Sequence, residues 1–294
     1  MKTAARQLLS HFPSVMDFLR SARDWRDFQK PPALTVHGFQ IKGPSLMREG
    51  CFEKEESDLI KLLSPHFDIF VNVGANIGYF VLFAASLGKK VIAVEASPTN
   101  WNRLLENLSL NKFTQIEVFP VAACEFAGTL SLYGRGVVAS LIPGWSGASS
   151  SRATRIPGIP LDRIVETLPD KRIFVLMDVE GAELEVMKGA PDLLSSSPPP
   201  IWMVEINLTD HQPDLERARN RFVEVFRMFE SAGYQAHAVG TEISTVDYAR
   251  VKESGDLTPF QKFRNYLFTK DLPEAFPIND PAYRLKTFTP NDLV

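Results

Sequence analysis

The chain has 294 residues, 45% of them hydrophobic, enough for one substantial core. A net charge of −3 and a pI near 6.0 leave no basic stripe for a nucleic-acid backbone. Cys51 and Cys124 lie far apart with no C-x-x-C, so neither a disulfide framework nor a zinc site is indicated, and no apolar run approaches the ~20 residues that cross a bilayer.

In chain order, residues 3–28 place Leu8, Leu9, Phe12, Val15, Met16, Phe18 and Leu19 at helical spacing, which predicts a helical cap. The segment is too polar for a signal-peptide core, so a reduced, cytoplasmic location is expected. LTVHGFQIKG reads as a short hairpin and EKEESDLIKLL as an amphipathic helix with Glu53 at its start, where an acid complements the helix dipole or reaches a neighbouring pocket. DIFVNV then reads as a buried parallel strand. Gly74 and Gly78 frame a tight turn into a helix on YFVLFAASL, whose free N–H groups face a ligand. The next strand, KVIAVE, ends in Glu95, where an acid accepts hydrogen bonds from both hydroxyls of a ribose.

This strand, turn, helix and acid unit lacks the G-x-G-x-x-G fingerprint, because Asn76 stands where a middle glycine would cradle a pyrophosphate. Adenosine without pyrophosphate points to S-adenosylmethionine. Its expected contacts are Gly74, Ala75, Asn76, Gly78, Glu95 and Ala96.

A helix is predicted from Pro98 to about Asn111 with Trp101, Leu104, Leu105 and Leu108 on one face, then a third strand on TQIEVFP. VAACEF and GTLSLYG read as two strands turning at Gly128, with Ala123 and Cys124 placed near an adenine ring. Residues 134–158 carry five glycines and a serine cluster, which reads as a long mobile segment of lid type, with a disordered insertion as the alternative. LDRIVETL is a short helix, RIFVLMDV a fourth strand, AELEVMKGA a helix, IWMVEIN a fifth strand, and residues 214–232 a long amphipathic helix. YQAHAV and NYLFTK are two further strands flanking a polar excursion, suited to an antiparallel edge hairpin. The pattern predicts a doubly wound α/β sheet over residues 66–270, preceded by a cap and hairpin over 1–65 and followed by a surface tail over 271–294.

The strings VNVGANIGYF, AVEASPTNWNRLLENLSLN, LMDVEGAELEVMKGA and WMVEIN, in this order, resemble the FkbM family of S-adenosylmethionine-dependent methyltransferases over roughly residues 52–240. The resemblance implies a class I methyltransferase fold and methyl transfer to a hydroxyl of a sugar, glycan, glycolipid or natural-product acceptor. It also exposes two departures: Asn72 stands where that family usually has aspartate, and Leu176 where it often has lysine.

In an open α/β sheet, ligands lie beyond the carboxyl ends of the strands. Asp178 and Glu180 end the fourth strand and Glu205 and Asn207 the fifth, so these four should share a rim, with Asp178 and Glu180, and Asn72 by the resemblance, also at hand for the cofactor. An alcohol acceptor needs its proton removed, which makes Asp178 or Glu205 the expected base or orienting carboxylate, with His211 as the alternative base. Their spacing does not demand a divalent metal. Two other readings stand beside this one. A binding module without turnover is motivated by Asn72 and Leu176, and a nucleotide-sugar oxidoreductase would want a pyrophosphate loop that this glycine turn does not supply.

Overall fold

The structure is a computed structural model describing residues 25–166, 170–240, 243–253 and 257–271. The cap expected over residues 3–28 lies outside these up to residue 24, as does the tail beyond 271.

The chain opens with the expected hairpin, β1 (Ala33–Leu34) against β2 (Gln40–Ile41), then α1 (Ser45–Glu49) and α2 (Lys54–Leu63). The nucleotide-type half follows as β3 (Ile69–Val73), α3 (Tyr79–Ser86), β4 (Lys90–Val94), α4 (Pro98–Ser109) and β5 (Ile116–Phe119). An excursion of β6 (Ala122–Ala123), β7 (Gly128–Tyr133) and β8 (Ala153–Ile159) leads to α5 (Leu161–Val165). The second half is β9 (Ile173–Met177), α6 (Glu183–Lys188), α7 (Pro191–Ser195), β10 (Ile201–Glu205) and α8 (Leu215–Ser231), the last capped by the Asp214 side chain. The described chain closes with β11 (Gln235–Val239), β12 (Ile243–Val246), α9 (Tyr248–Glu253) and β13 (Asn265–Thr269).

The main sheet runs β5-β4-β3-β9-β10-β13-β11-β12. Its first five strands are parallel, and β13, β11 and β12 add antiparallel pairs. This is the doubly wound α/β sheet expected. YQAHAV and NYLFTK do pair antiparallel, but the polar excursion between them also forms β12 and α9, so the outer edge is β11 with β12.

From β3 the chain winds outward through β4 and β5, then returns to lay β9 and β10 on the other side. The switch point, where crevices open in such sheets, is therefore between β3 and β9. Strand alternation sends Ile69, Val71 and Val73 into one core with Trp202, Val204 and Phe226, and Phe70 into the other with Phe174, Met203 and the α3 side chains. Residues sharing the parity of Phe70, Phe174, Met203 and Leu267 at the strand ends are Asn72, Leu176, Asp178, Glu205 and Asn265. Asn72 stands beside Leu176, and Glu205 beside Asn265, in the strand registers.

Residues 134–158 are not the structureless segment expected. They contain β8, which joins β6 and β7 in a three-stranded sheet, and a turn that buries Trp145. Glycine and serine content masked this, because β8 contributes few apolar side chains and Trp145 has no periodic partners in sequence. In α4, the buried face is Asn100, Leu104 and Asn107, while Leu105 is exposed.

Candidate active site

Two adjoining cavities open at the switch point, and both are bordered by Gly74, Asn76 and Asp178. The first, about 570 Å³, is lined by Glu95, Ala96, Asn100, Ala122, Ala123 and Glu180, and by residues 136–141 of the excursion. The second, about 470 Å³, is lined by Glu53, Glu56, Asn72, Ala75, Tyr79, Leu176, Glu205 and Asn265.

The glycine turn is clamped from both sides. Gly74 N–H and Ala75 N–H donate to the Val94 carbonyl, and Asp178 N–H donates to Val73. Gly74 has φ +88°, and a Cβ there would lie 1.7 Å from the Asp178 carbonyl oxygen, so glycine here permits strand ends to touch. Gly78 makes room for a neighbouring helix instead. A Cβ at Gly78 would meet Leu104 of α4 at 2.4 Å, and Gly78 lines neither cavity.

Glu95 is buried at the end of β4. Its carboxylate accepts from Asn76 N–H at 2.7 Å and Ser97 N–H at 2.8 Å, and from the Asn100 amide at 3.3 Å. Of a carboxylate's roughly four lone-pair sites, about one stays open, and a second opens if the long Asn100 bond yields. Asn100 itself holds the Gly136 carbonyl, which fastens the excursion over the first cavity.

Glu180, at φ +53°, accepts from Trp145 Nε1 at 2.6 Å, and its carbonyl accepts from Ser140 Oγ. Trp145 lies flat enough against the backbone that a Cβ on Gly181 would come within 2.3 Å of its ring. The DVEG segment thus anchors the excursion as well as bordering the cavity.

Three expected site residues stand elsewhere. Cys124 is buried beside Gly158 with its thiol toward the Phe126 carbonyl, and lines neither cavity. His211 is exposed, its ring 6.1 Å from Trp145 and its carbonyl accepting Ser146 N–H. Asn207 does not join the rim, because its side chain caps the amides of Thr209 and Asp210. Conversely, Glu56, Tyr79, Asn100, Ser140 and Asn265 were not singled out in the sequence. Glu56 alone left a signal, one helical turn after Glu53 on the same face.

The two cavities gather Glu53, Glu56, Glu95, Asp178, Glu180 and Glu205, and among the described residues no Lys, Arg or His lines either one. Burial raises the pKa of Asp178, and burial followed by the Asp178 charge raises that of Glu180. The Asp178 charge, then burial, then Glu53 push Glu205 up further. Burial alone is the main cause for Glu56, Glu95 and Glu183, each raised to about 7. Among the described residues no group of three or more His, Cys, Asp or Glu is arranged to hold a metal ion.

A carboxyl raised in the folded state holds its proton there between about pH 4.5 and 7, while the unfolded chain has released it. Stability from these groups is full below the lower limit and is lost as pH rises through the upper one. The ligand-free protein is therefore expected to melt at least about 5 °C lower at pH 8 than at pH 5.5, read by calorimetry. A Tm that rises over that interval would show that these carboxyls are not buried as described.

Set beside known proteins, residues 72–236 match the model of the methyltransferase FkbM domain. The chain belongs to the FkbM methyltransferase family. The matched FkbM region spans β3 to the first half of β11, so it contains the switch point and the Gly74, Asn76 and Asp178 border shared by both cavities. A hexuronic acid methyltransferase, AglP, from Haloferax volcanii is 31% identical over 146 residues, covering 48% of this chain and 59% of that relative. The chain thus spans under two thirds of the curated relative's length. Among solved structures, a methyltransferase FkbM from Methylobacillus flagellatus KT aligns at 19% identity and TM-score 0.44 over 69% of this chain and 43% of that one. An O-methyltransferase from Bacillus cereus in complex with SAH aligns at 14% identity and TM-score 0.42, over 90% and 96%. No helix among the described residues is long and apolar enough to cross a membrane.

Proposed function

We propose that this FkbM-family protein is an S-adenosylmethionine-dependent methyltransferase acting on a hydroxyl of a sugar or glycan-type acceptor. The observation that carries the reading is the switch-point pair of cavities, joined at Gly74, Asn76 and Asp178 and lined by six acidic side chains and, among the described residues, by no cation. That electrostatic lining suits a ligand bearing a sulfonium and an ammonium. The donor supplies a methyl group on a sulfur whose departure leaves a neutral thioether.

The protein's part is to hold, align and deprotonate. Glu95, with its remaining acceptor capacity, holds the ribose side, and Ala96, Ala122 and Ala123 give a smooth wall for a flat base. Asn72 and Asn76 offer amide oxygens toward an ammonium without adding a further charge. Asp178, at the boundary of the two cavities, takes the acceptor proton. Glu205, which keeps its proton more strongly until a cation is beside it, orients the acceptor by hydrogen bonding. His211, exposed and outside both cavities, leaves the base role to Asp178.

Calorimetric titration with S-adenosylhomocysteine tests the reading. Wild-type protein should bind it, and Glu95→Gln should weaken binding about tenfold or more, the value of one or two hydrogen bonds to a charged group. Absence of binding by the wild type removes the assignment, and undiminished binding by the variant removes Glu95 from it.

A further inference from the structure

From the second cavity we infer that the acceptor carries a protonated amine, as an amino sugar does, and that Glu56 and Glu205 receive it. This rests on the methyl-transfer reading for the word acceptor, though not for the cation preference itself.

Glu56, 7% exposed, points one oxygen to the Asn265 amide at 2.5 Å, while its other oxygen, Oε2, is buried with no hydrogen-bond partner. A carboxylate oxygen with no partner at such depth is costly, and the deficit disappears when a donor arrives. Glu205, from the strand register position opposite Asn265, borders the same space, as does Glu53 at the start of α2. Among the described residues the lining offers these groups no cation. Arg264 is the nearest basic influence on Glu53 and Glu180, yet its guanidinium is exposed and bound to Asp210.

The methyl donor cannot satisfy the whole set. It brings a sulfonium and an ammonium but also a carboxylate, a net single positive charge, whereas the two cavities hold six acidic side chains whose ionisation burial opposes until cations arrive. A second cation on the acceptor side meets the remaining demand. A uronic acid, the acceptor named for the Haloferax volcanii relative, would instead place a carboxylate among Glu53, Glu56, Asp178 and Glu205 with nothing to pair it. Like charges brought together in a desolvated pocket are strongly selected against. An amine meets this lining without the preset ligand geometry that a metal ion requires, and the described carboxylates do not show that geometry.

The test is calorimetry on the full chain at pH 8 with EDTA present, in two stages. S-adenosylhomocysteine is titrated first. Methyl β-glucosaminide, methyl β-glucoside and methyl β-glucuronide are then titrated into protein with and without it. The glucosaminide is expected to bind about tenfold or more tightly than the glucoside, with the glucuronide weakest. Glu56→Gln and Glu205→Gln, each isosteric, should bring glucosaminide and glucoside within about twofold of each other. The inference is overturned by a glucuronide that binds as well as the glucosaminide, by an amine preference that survives both substitutions, or by a preference that appears only when magnesium replaces EDTA. It is equally overturned if none of the three sugars binds. An amine preference in a protein that ignores S-adenosylhomocysteine would sustain this inference while removing the methyl-transfer reading.

Discussion

Gly74→Ala should destabilise the protein by about 4 kcal/mol or more, enough to leave it largely unfolded at 37 °C if its total stability is ordinary. Two costs combine. The φ of +88° is unfavourable for any residue with a Cβ, at roughly 1–2 kcal/mol. The new methyl would lie 1.7 Å from the Asp178 carbonyl oxygen, and that oxygen is backbone rather than a side chain that can swing away. Overpacking of this kind costs about 1–3 kcal/mol or more even where neighbours can shift. Here the neighbours are the ends of β3 and β9, the central pair of the sheet, tied by the hydrogen bond from Asp178 N–H to Val73. Gly88→Ala serves as the control, since its φ is +77° but a Cβ there would meet nothing within 4 Å. It should lose only about 1–2 kcal/mol in urea denaturation. Equal losses at the two positions would show that the strand ends part without resistance.

Asp178→Asn should lower turnover by about 10²–10⁴-fold, the usual range for removing a general base, and at the same time make the ligand-free protein more stable at pH 8. The second effect follows from the crowding around it. Asp178 is half-buried, and its charge is the largest cause holding Glu205 protonated and a further cause for Glu180. An amide of the same shape removes one buried charge and relieves its neighbours, so the Tm should rise by about 3 °C or more at pH 8 and by less at pH 5.5. Such opposed changes in activity and stability are expected where a site stores repulsion for a ligand to neutralise. A fall in turnover accompanied by a fall in Tm would place Asp178 among the structural residues instead. Unchanged turnover would pass the base role to another group.

Local pattern already contained much of the fold. The apolar runs IFVNV, IFVLM and IWMVE announce buried parallel strands, and the glycine turn with Glu95 announces an adenosine-type site. These signals are local: period, turn chemistry and an acid at a strand end. The alternation of Asn72, Leu176, Glu205 and Asn265 was also present in sequence, but a period of two says only that residues share a face within one strand. Which faces coincide depends on register and strand order, and only the sheet put Asn72 beside Leu176 and Glu205 beside Asn265. Residues 134–158 failed for a related reason. Their order comes from β8 pairing with β6 and β7 and from Trp145 binding Glu180, contacts to distant chain that leave no periodicity in the segment.

The sequence by itself therefore determined the layered α/β class, the glycine turn and the acid that closes β4, because each is set by neighbours a few residues apart. The tertiary structure alone decided that Glu53 and Glu56 at the start of α2 meet Asp178 and Glu205 in one cavity to which no described residue adds a cation. That meeting is a sum over three separate stretches of chain, and its electrostatic consequence exists only once burial removes the water between them.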